Sequence, residues 1–305
     1  MSAPKNKVMK DALFESVYFD TEPGIKIHAK VTGPVDAPVL LFVHGFPEFW
    51  YAWREQLSDL GRDYRCVAID LRGFNLSSQP VQLDAYKPSK ILADVCAVIQ
   101  ALGEPVHALI AHDWGGAVAW SLAAQHPHLL KKFAILNSPH TLAFAHALAH
   151  DPEQIAASLY MNWLRKPGSE DALAKNQFQL LCAMADIQTP EDLAAYRACW
   201  SKGLTGGCNY YRASPLHPDD PDVPEQTGRM AALDAQLQTQ TENFKVKVPT
   251  QVIWGEADTA LRPVLLDGLN QWVSDLRIHR ISGASHWLAR THATEVNRVL
   301  REFLA

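Results

Sequence analysis

Paired cysteines are missing from this sequence. It holds five, Cys66, Cys96, Cys182, Cys199 and Cys208, an odd number with no CxxC spacing among 305 residues. Neither a cysteine zinc site nor a disulfide framework is suggested, and a reducing cytoplasm is the expected home. Long apolar runs are missing too. No stretch reaches the length that spans a bilayer, and the opening "MSAPKNKVMKDALFESVYF" has no apolar core of a signal peptide. Runs of one charge are also lacking, and the net charge is about -5. That argues against nucleic acid or an anionic membrane surface as the partner and leaves a neutral small molecule open. Internal repeats and low-complexity tracts are absent. With 48% hydrophobic residues, the chain is expected to fold around a large core.

What is present is an alternation of strand and helix. "SVYFD" and "IKIHAKVTG" read as an opening hairpin. "PVLLFVHGF", "RCVAIDLRG", "VHALIAHD" and "KFAILNSP" read as buried strands, with "KILADVCAVIQALG" and "GGAVAWSLAAQHP" as helices between them. Such alternation predicts an α/β fold with a mostly parallel sheet covered on both faces. From Leu142 to Asn243 no strand pattern appears. Strands return at "PTQVIWGEAD" and "LRIHRISGASH", followed by helices expected at "PVLLDGLNQWV" and "HATEVNRVLREFL". The economical division is a core of residues 1–141 and 244–305 interrupted by a helical cap, 142–243, over the strand ends.

One corner carries the chemistry. In "LIAHDWGGAVAW" an apolar strand stops at an acid and a helix resumes after two glycines. Ala111-His112-Asp113-Trp114-Gly115 fits small-x-nucleophile-x-small, a strand-to-helix turn that lifts its central side chain above the sheet. Taken alone, it also fits an ordinary turn with Asp113 as an N-cap. The surroundings favour the first reading. "VHGFPEFW" places the Phe46 N–H beside that of Trp114 as a pair of oxyanion donors, with His44 as a structural hydrogen-bonder. "GEAD" supplies Asp258 and "GASHW" supplies His286, so the order along the chain is nucleophile, acid, histidine.

These segments, with "HGFPEFWYAWR" and "DLRGFNLSSQP", resemble the soluble epoxide hydrolases of the α/β-hydrolase fold across nearly the whole chain. "HDWGG" is shared with some haloalkane dehalogenases. The resemblance implies two cap tyrosines that hold the epoxide oxygen. "LYMNWLRKPG" offers Tyr160, and "NYYRASP" offers Tyr211 with Tyr210 as its packed neighbour. Trp163, Phe178 and Leu180 are assigned to an apolar substrate cavity. The resemblance implies no metal or organic cofactor. The partners are a small apolar epoxide and water, and monomer and homodimer both remain open.

An aspartate nucleophile narrows the reaction by itself. Its attack on an ester or amide would give a mixed anhydride, whereas attack on an sp3 carbon with a leaving group gives a simple ester. Epoxides and alkyl halides fit. A haloalkane dehalogenase is the first alternative, with the Trp114 indole and a second Trp or Asn holding halide. Phe46 stands where one dehalogenase branch has Asn, and the cap offers Trp163 and Trp200. Small charged haloacids fit poorly, since Trp114 and Ala117 occupy the places of the arginines in that branch, and Asn137 the place of its acid. The other alternative is a catalytically inactive relative that only binds a ligand.

Overall fold

A computed structural model describes residues 14–187 and 189–305. Eight strands form one sheet: β1 (Glu15–Glu22), β2 (Ile25–Thr32), β3 (Val39–Val43), β4 (Arg65–Ile69), β5 (Val106–His112), β6 (Leu130–Leu136), β7 (Thr250–Gly255) and β8 (Leu276–Ile281). Their order is β1-β2-β4-β3-β5-β6-β7-β8. The opening hairpin turns at Gly24, whose φ of 84° suits glycine, and pairs antiparallel with itself and with β4. From β4 onward every pairing is parallel. Central strands are largely apolar because both faces are covered, as in β3, "VLLFV", and β7 is buried along its length. The edge strands β1 and β8 are mostly exposed or half-buried.

Among the described residues, twelve α-helices accompany the sheet. Those of the core are α1 (Arg54–Leu60), α2 (Pro88–Leu102), α3 (Asp113–Gln125), α11 (Leu288–Thr291) and α12 (Ala293–Leu304). The chain steps one way from β3 to β4 and back the other way from β4 to β5. Right-handed crossovers therefore place α1 and α2 on opposite faces. In accord with this, α2 packs with α3, and α1 packs with α12. The order reverses at β3 and β5, so a crevice opens at their carboxyl ends.

Between β6 and β7 lie α4 (Thr141–His150), α5 (Pro152–Ser158), α6 (Tyr160–Arg165), α7 (Ser169–Met184), α8 (Pro190–Trp200), α9 (Thr205–Ala213) and α10 (Arg229–Gln238). No strand occurs there among the described residues. Inside α7, Asn176, Gln177 and Phe178 take left-handed backbone conformations, so the helix is two pieces across a break. Among the described residues no helix is long and apolar enough to cross a membrane. All five cysteines are free, and burial pushes the Cys66 thiol up to about 12.

One expected helix is absent. "PVLLDGLNQWV" forms two short 3₁₀ turns, Pro263–Leu266 and Leu269–Gln271. Gly268 interrupts them at a φ of 69°, a conformation that ends a helix rather than continuing it.

Arg72, after β4, ties the layers together. Its guanidinium donates two 2.7 Å hydrogen bonds to Asp94 on α2, with both side chains almost fully buried. It also pairs with Glu22 of the hairpin, and its carbonyl accepts from Tyr210 on α9. Removing one partner of a buried pair strands the other charge. Asp94→Ala should therefore lose about 3–5 kcal/mol of stability, read from urea unfolding. A loss below about 1 kcal/mol would mean that solvent reaches Arg72.

Candidate active site

The crevice at β3 and β5 holds the corner singled out above. Asp113 is the first residue of α3 and has a φ of 51°. That left-handed value costs about 1–3 kcal/mol for a side-chain-bearing residue unless packing over-determines it. Packing does so here. A β-carbon on Gly115 would strike the carbonyls of Val43 and His44, and one on Gly45 would strike the Asp113 carboxylate. The Ser138 hydroxyl closes the turn by donating to the Asp113 carbonyl at 2.8 Å.

The two carboxylate oxygens of Asp113 face different groups. Oδ1 accepts from the Phe46 N–H at 2.7 Å. Oδ2 lies 3.6 Å from Nε2 of His286. As the second residue of α3, Trp114 has an N–H that the helix itself leaves unpaired. His44 is structural: it donates from Nδ1 to the Gly45 carbonyl and accepts from the Leu71 N–H at Nε2. Burial holds it below the ordinary imidazole value.

His286 and Asp258 come from the loops after β8 and β7. Nδ1 of His286 donates to Oδ2 of Asp258 at 2.6 Å. Asp258 is held in turn by the N–H groups of Ala260 and Leu261 and by the Asn137 amide at 2.6 Å. Burial favours neutral Asp258, but His286 and these donors keep it below the usual carboxylate value. Burial also opposes charge on His286, yet Asp258 and Asp113 on either side push it up to about 10.

Tyr160 opens α6 and Tyr211 lies on the buried face of α9. Their rings pack edge to face with centroids 6.1 Å apart, and the Tyr211 ring meets that of Trp114 edge-on at 5.0 Å. Burial, together with the Asp113 charge, pushes both phenols far above their usual value, so they remain donors. Two cavities meet here, and Asp113, Tyr160 and Tyr211 line both. The first is walled by Phe144, Met161, Leu216 and Leu261. The second runs past Phe46, Met184 and His286.

Asp113, His286, Asp258, Tyr160, Tyr211, Phe46 and Trp114 thus converge. Trp163, Phe178 and Leu180 do not line either cavity. Trp163 is exposed because α6 turns Met161 and Leu164 inward, Leu180 is exposed because α7 turns Leu181 inward, and Phe178 packs on Trp200 at 5.7 Å between ring centroids. Sequence reasoning missed a neighbouring buried group. Glu48 accepts from Tyr196 at 2.9 Å and meets Nδ1 of His112 at 3.2 Å. Burial would raise Glu48, but His112 outweighs it and the carboxyl is held at about 2. His112 donates from Nε2 to the His286 carbonyl at 2.9 Å, bracing the histidine loop. The nearby signal was Glu48 itself, an acid inside the apolar "GFPEFW".

A raised histidine stabilises the fold in its charged form. That contribution is complete below the ordinary value of 6.5 and is lost as pH climbs through about 10. Asp113→Asn should lower the His286 value by about one unit or more, and Asp258→Asn should lower it further, followed by NMR of the ring. No change in Asp113→Asn would mean that the pair across 3.6 Å carries no charge coupling.

The comparisons agree with this geometry. The profile of the alpha/beta hydrolase fold family matches residues 38–293. Epoxide hydrolase 3 of Xenopus tropicalis is 32% identical over 302 residues, covering 93% of this chain and 76% of that protein. Epoxide hydrolase 1 of Caenorhabditis elegans is 34% identical over 297 residues, covering 92% and 68%. The crystal structure of a Bacillus megaterium epoxide hydrolase in complex with an inhibitor matches with a TM-score of 0.81 at 28% identity, covering 95% of this chain and 99% of that one. Epoxide hydrolase VrEH1 from Vigna radiata matches with a TM-score of 0.77 at 28% identity, covering 96% and 98%.

Proposed function

This chain belongs to the epoxide hydrolases of the α/β-hydrolase fold, and we propose that it converts an apolar epoxide to a vicinal diol through an ester on Asp113. The observation that carries this reading is that the Asp113 carboxylate and two packed cap phenols, Tyr160 and Tyr211, line the same cavity. The helical segment 142–243 acts as a cap domain that supplies the phenols, and residues 1–141 and 244–305 form the core domain that supplies the carboxylate.

The reaction runs in two halves. Asp113 Oδ2 attacks a ring carbon, and the carbon–oxygen bond breaks toward Tyr160 and Tyr211. The phenols stabilise the developing alkoxide and give it a proton. The protonated His286 restores that proton to the phenols, and the ester removes the Asp113 charge that had held His286 cationic. Neutral His286 then takes a proton from water, and hydroxide adds to the ester carbonyl. The N–H groups of Phe46 and Trp114 receive the oxyanion. Asp258 favours the imidazolium, which protonates the departing alkoxide, and the Asp113 carboxyl group left behind passes its proton to the now neutral His286, restoring the carboxylate–imidazolium pair. Water and epoxide are consumed and one diol leaves, with no cofactor in the balance.

A dehalogenase reading needs indole donors aimed at the leaving group. Here Trp200 donates to the Pro47 carbonyl at 2.6 Å and Trp163 is exposed, so neither joins the Trp114 indole in the cavity as a second donor. The test runs styrene oxide and 1-bromobutane side by side under single-turnover conditions. Wild type should form diol and release no bromide. Tyr160→Phe or Tyr211→Phe should cost about 10- to 100-fold, the worth of one hydrogen bond to a charged group, and the double variant more. His286→Ala should accumulate an adduct on Asp113, seen by intact mass. Bromide release that survives loss of both phenols would make this a dehalogenase. Binding with neither product nor adduct would make it a ligand-binding relative.

A further inference from the structure

A second cluster of reactive side chains lies away from Asp113. The segment "FAHALAHD" puts His146 and His150 four residues apart on α4, so both leave the helix on one face. Both rings are open to solvent, with side chains 62% and 51% exposed, and their centroids are 4.7 Å apart. Opposite them, α10 presents Asp234, whose side chain is only 5% exposed. Nδ1 of His146 is 3.2 Å from Oδ2 of Asp234, and Nε2 of His150 is 3.1 Å from that same oxygen. The other oxygen, Oδ1, is held by the Gln238 amide at 3.0 Å.

We propose that His146, His150 and Asp234 form a binding site for one zinc-type metal ion that joins α4 to α10. All three ligand atoms lie within 4.8 Å of one another. In a tetrahedral zinc site with bonds of about 2.0–2.1 Å, neighbouring ligand atoms sit about 3.3 Å apart. The two nitrogen–oxygen edges already have nearly that length, at 3.2 and 3.1 Å. Rotation of the exposed rings closes the third edge. Two imidazoles and one carboxylate suit Zn²⁺, and the affinity order adds Cu²⁺ and Ni²⁺ as competitors. Gln238 orients the carboxylate as an outer partner, and water takes the fourth position from the open side.

Such an ion would fix an element of the substrate cavity. Thr141 and Phe144 of α4 line the space beside Asp113. Phe144 packs against a small cluster in which Ala145 and Leu148 of α4 meet Met230 of α10, with Leu233 and Leu237 beside them. An ion across the same two helices would hold that wall in place. It takes no part in the chemistry at Asp113. The absence of cysteine zinc motifs does not bear on this site, which is built from histidine and aspartate.

Equilibrium dialysis against buffered Zn²⁺, with metal counted by mass spectrometry, tests the proposal on the whole protein. Wild type should retain one equivalent that His146→Ala/His150→Ala lacks. At a free zinc hundredfold above Kd, wild type should gain about 3–6 °C in Tm, reversed by EDTA and absent in the double variant. Co²⁺ should give the visible absorption of a tetrahedral ion in wild type only. Zn²⁺ should also shield His146 and His150 of the wild type from diethyl pyrocarbonate, mapped by peptide mass, which needs no variant. No zinc retained at a free concentration of about 10 µM, or equal retention by the double variant, would overturn the site and leave two hydrogen bonds to Asp234.

Discussion

The backbone of Asp113 is the constraint on which the rest of the site depends. A φ of 51° at a residue with a side chain is unfavourable, yet it is the only way to end β5, begin α3 and leave a carboxylate standing above the sheet. Its neighbours are chosen by that constraint. Gly115 and Gly45 lack the atoms that would collide with β3 and with the carboxylate itself. Once the corner is set, the Phe46 N–H meets Oδ1 and the imidazole of His286 faces Oδ2. One carboxylate is thereby divided into an oxygen held by the backbone and an oxygen that faces the His286 imidazole.

Burying so much charge demands compensation, and the compensation is visible at each step. Asp258 is fully covered, but two N–H groups, an amide and an imidazole answer it. Glu48 is buried beside the triad and is answered by His112 and Tyr196. Desolvation would push both carboxyls toward neutrality, and the donors outweigh it. The His112 ring lies tilted with its centroid 4.5 Å from that of His286 and donates to the His286 carbonyl, so the Glu48 network also fixes where that imidazole sits.

The parts legible in the sequence are those written locally. Strand ends, the two-glycine corner and the loops that carry Asp258 and His286 lie within short segments, and each resides where its pattern placed it. The "PVLLDGLNQWV" segment failed because a helical spacing of apolar residues outweighed Gly268 in the reading, while the backbone needed that glycine at a φ of 69°. Trp163 failed for another reason. In a short helix flanked by apolar residues, periodicity does not say which turn faces inward, and tertiary packing chose Met161 and Leu164. The Glu48–Tyr196 bond joins residues 148 positions apart, a separation that no local pattern records.

Three such long-range bonds decide how the helical segment sits on the sheet. Tyr196 on α8 donates to Glu48, Trp200 on α8 donates to the Pro47 carbonyl, and Tyr210 on α9 donates to the Arg72 carbonyl. All three side chains are buried, and all three acceptors belong to loops at the crevice or beside it. Lifting the segment away would leave a buried carboxylate and two carbonyls short of donors, at about 1–3 kcal/mol for each group left unpaired. Tyr211 follows Tyr210 directly, and Tyr160 packs against Tyr211 with ring centroids 6.1 Å apart. The distance from the phenols to Asp113 is therefore set by bonds the phenols do not make. The residues that hold α8 and α9 in place govern the geometry of the candidate site as much as those that line the cavity.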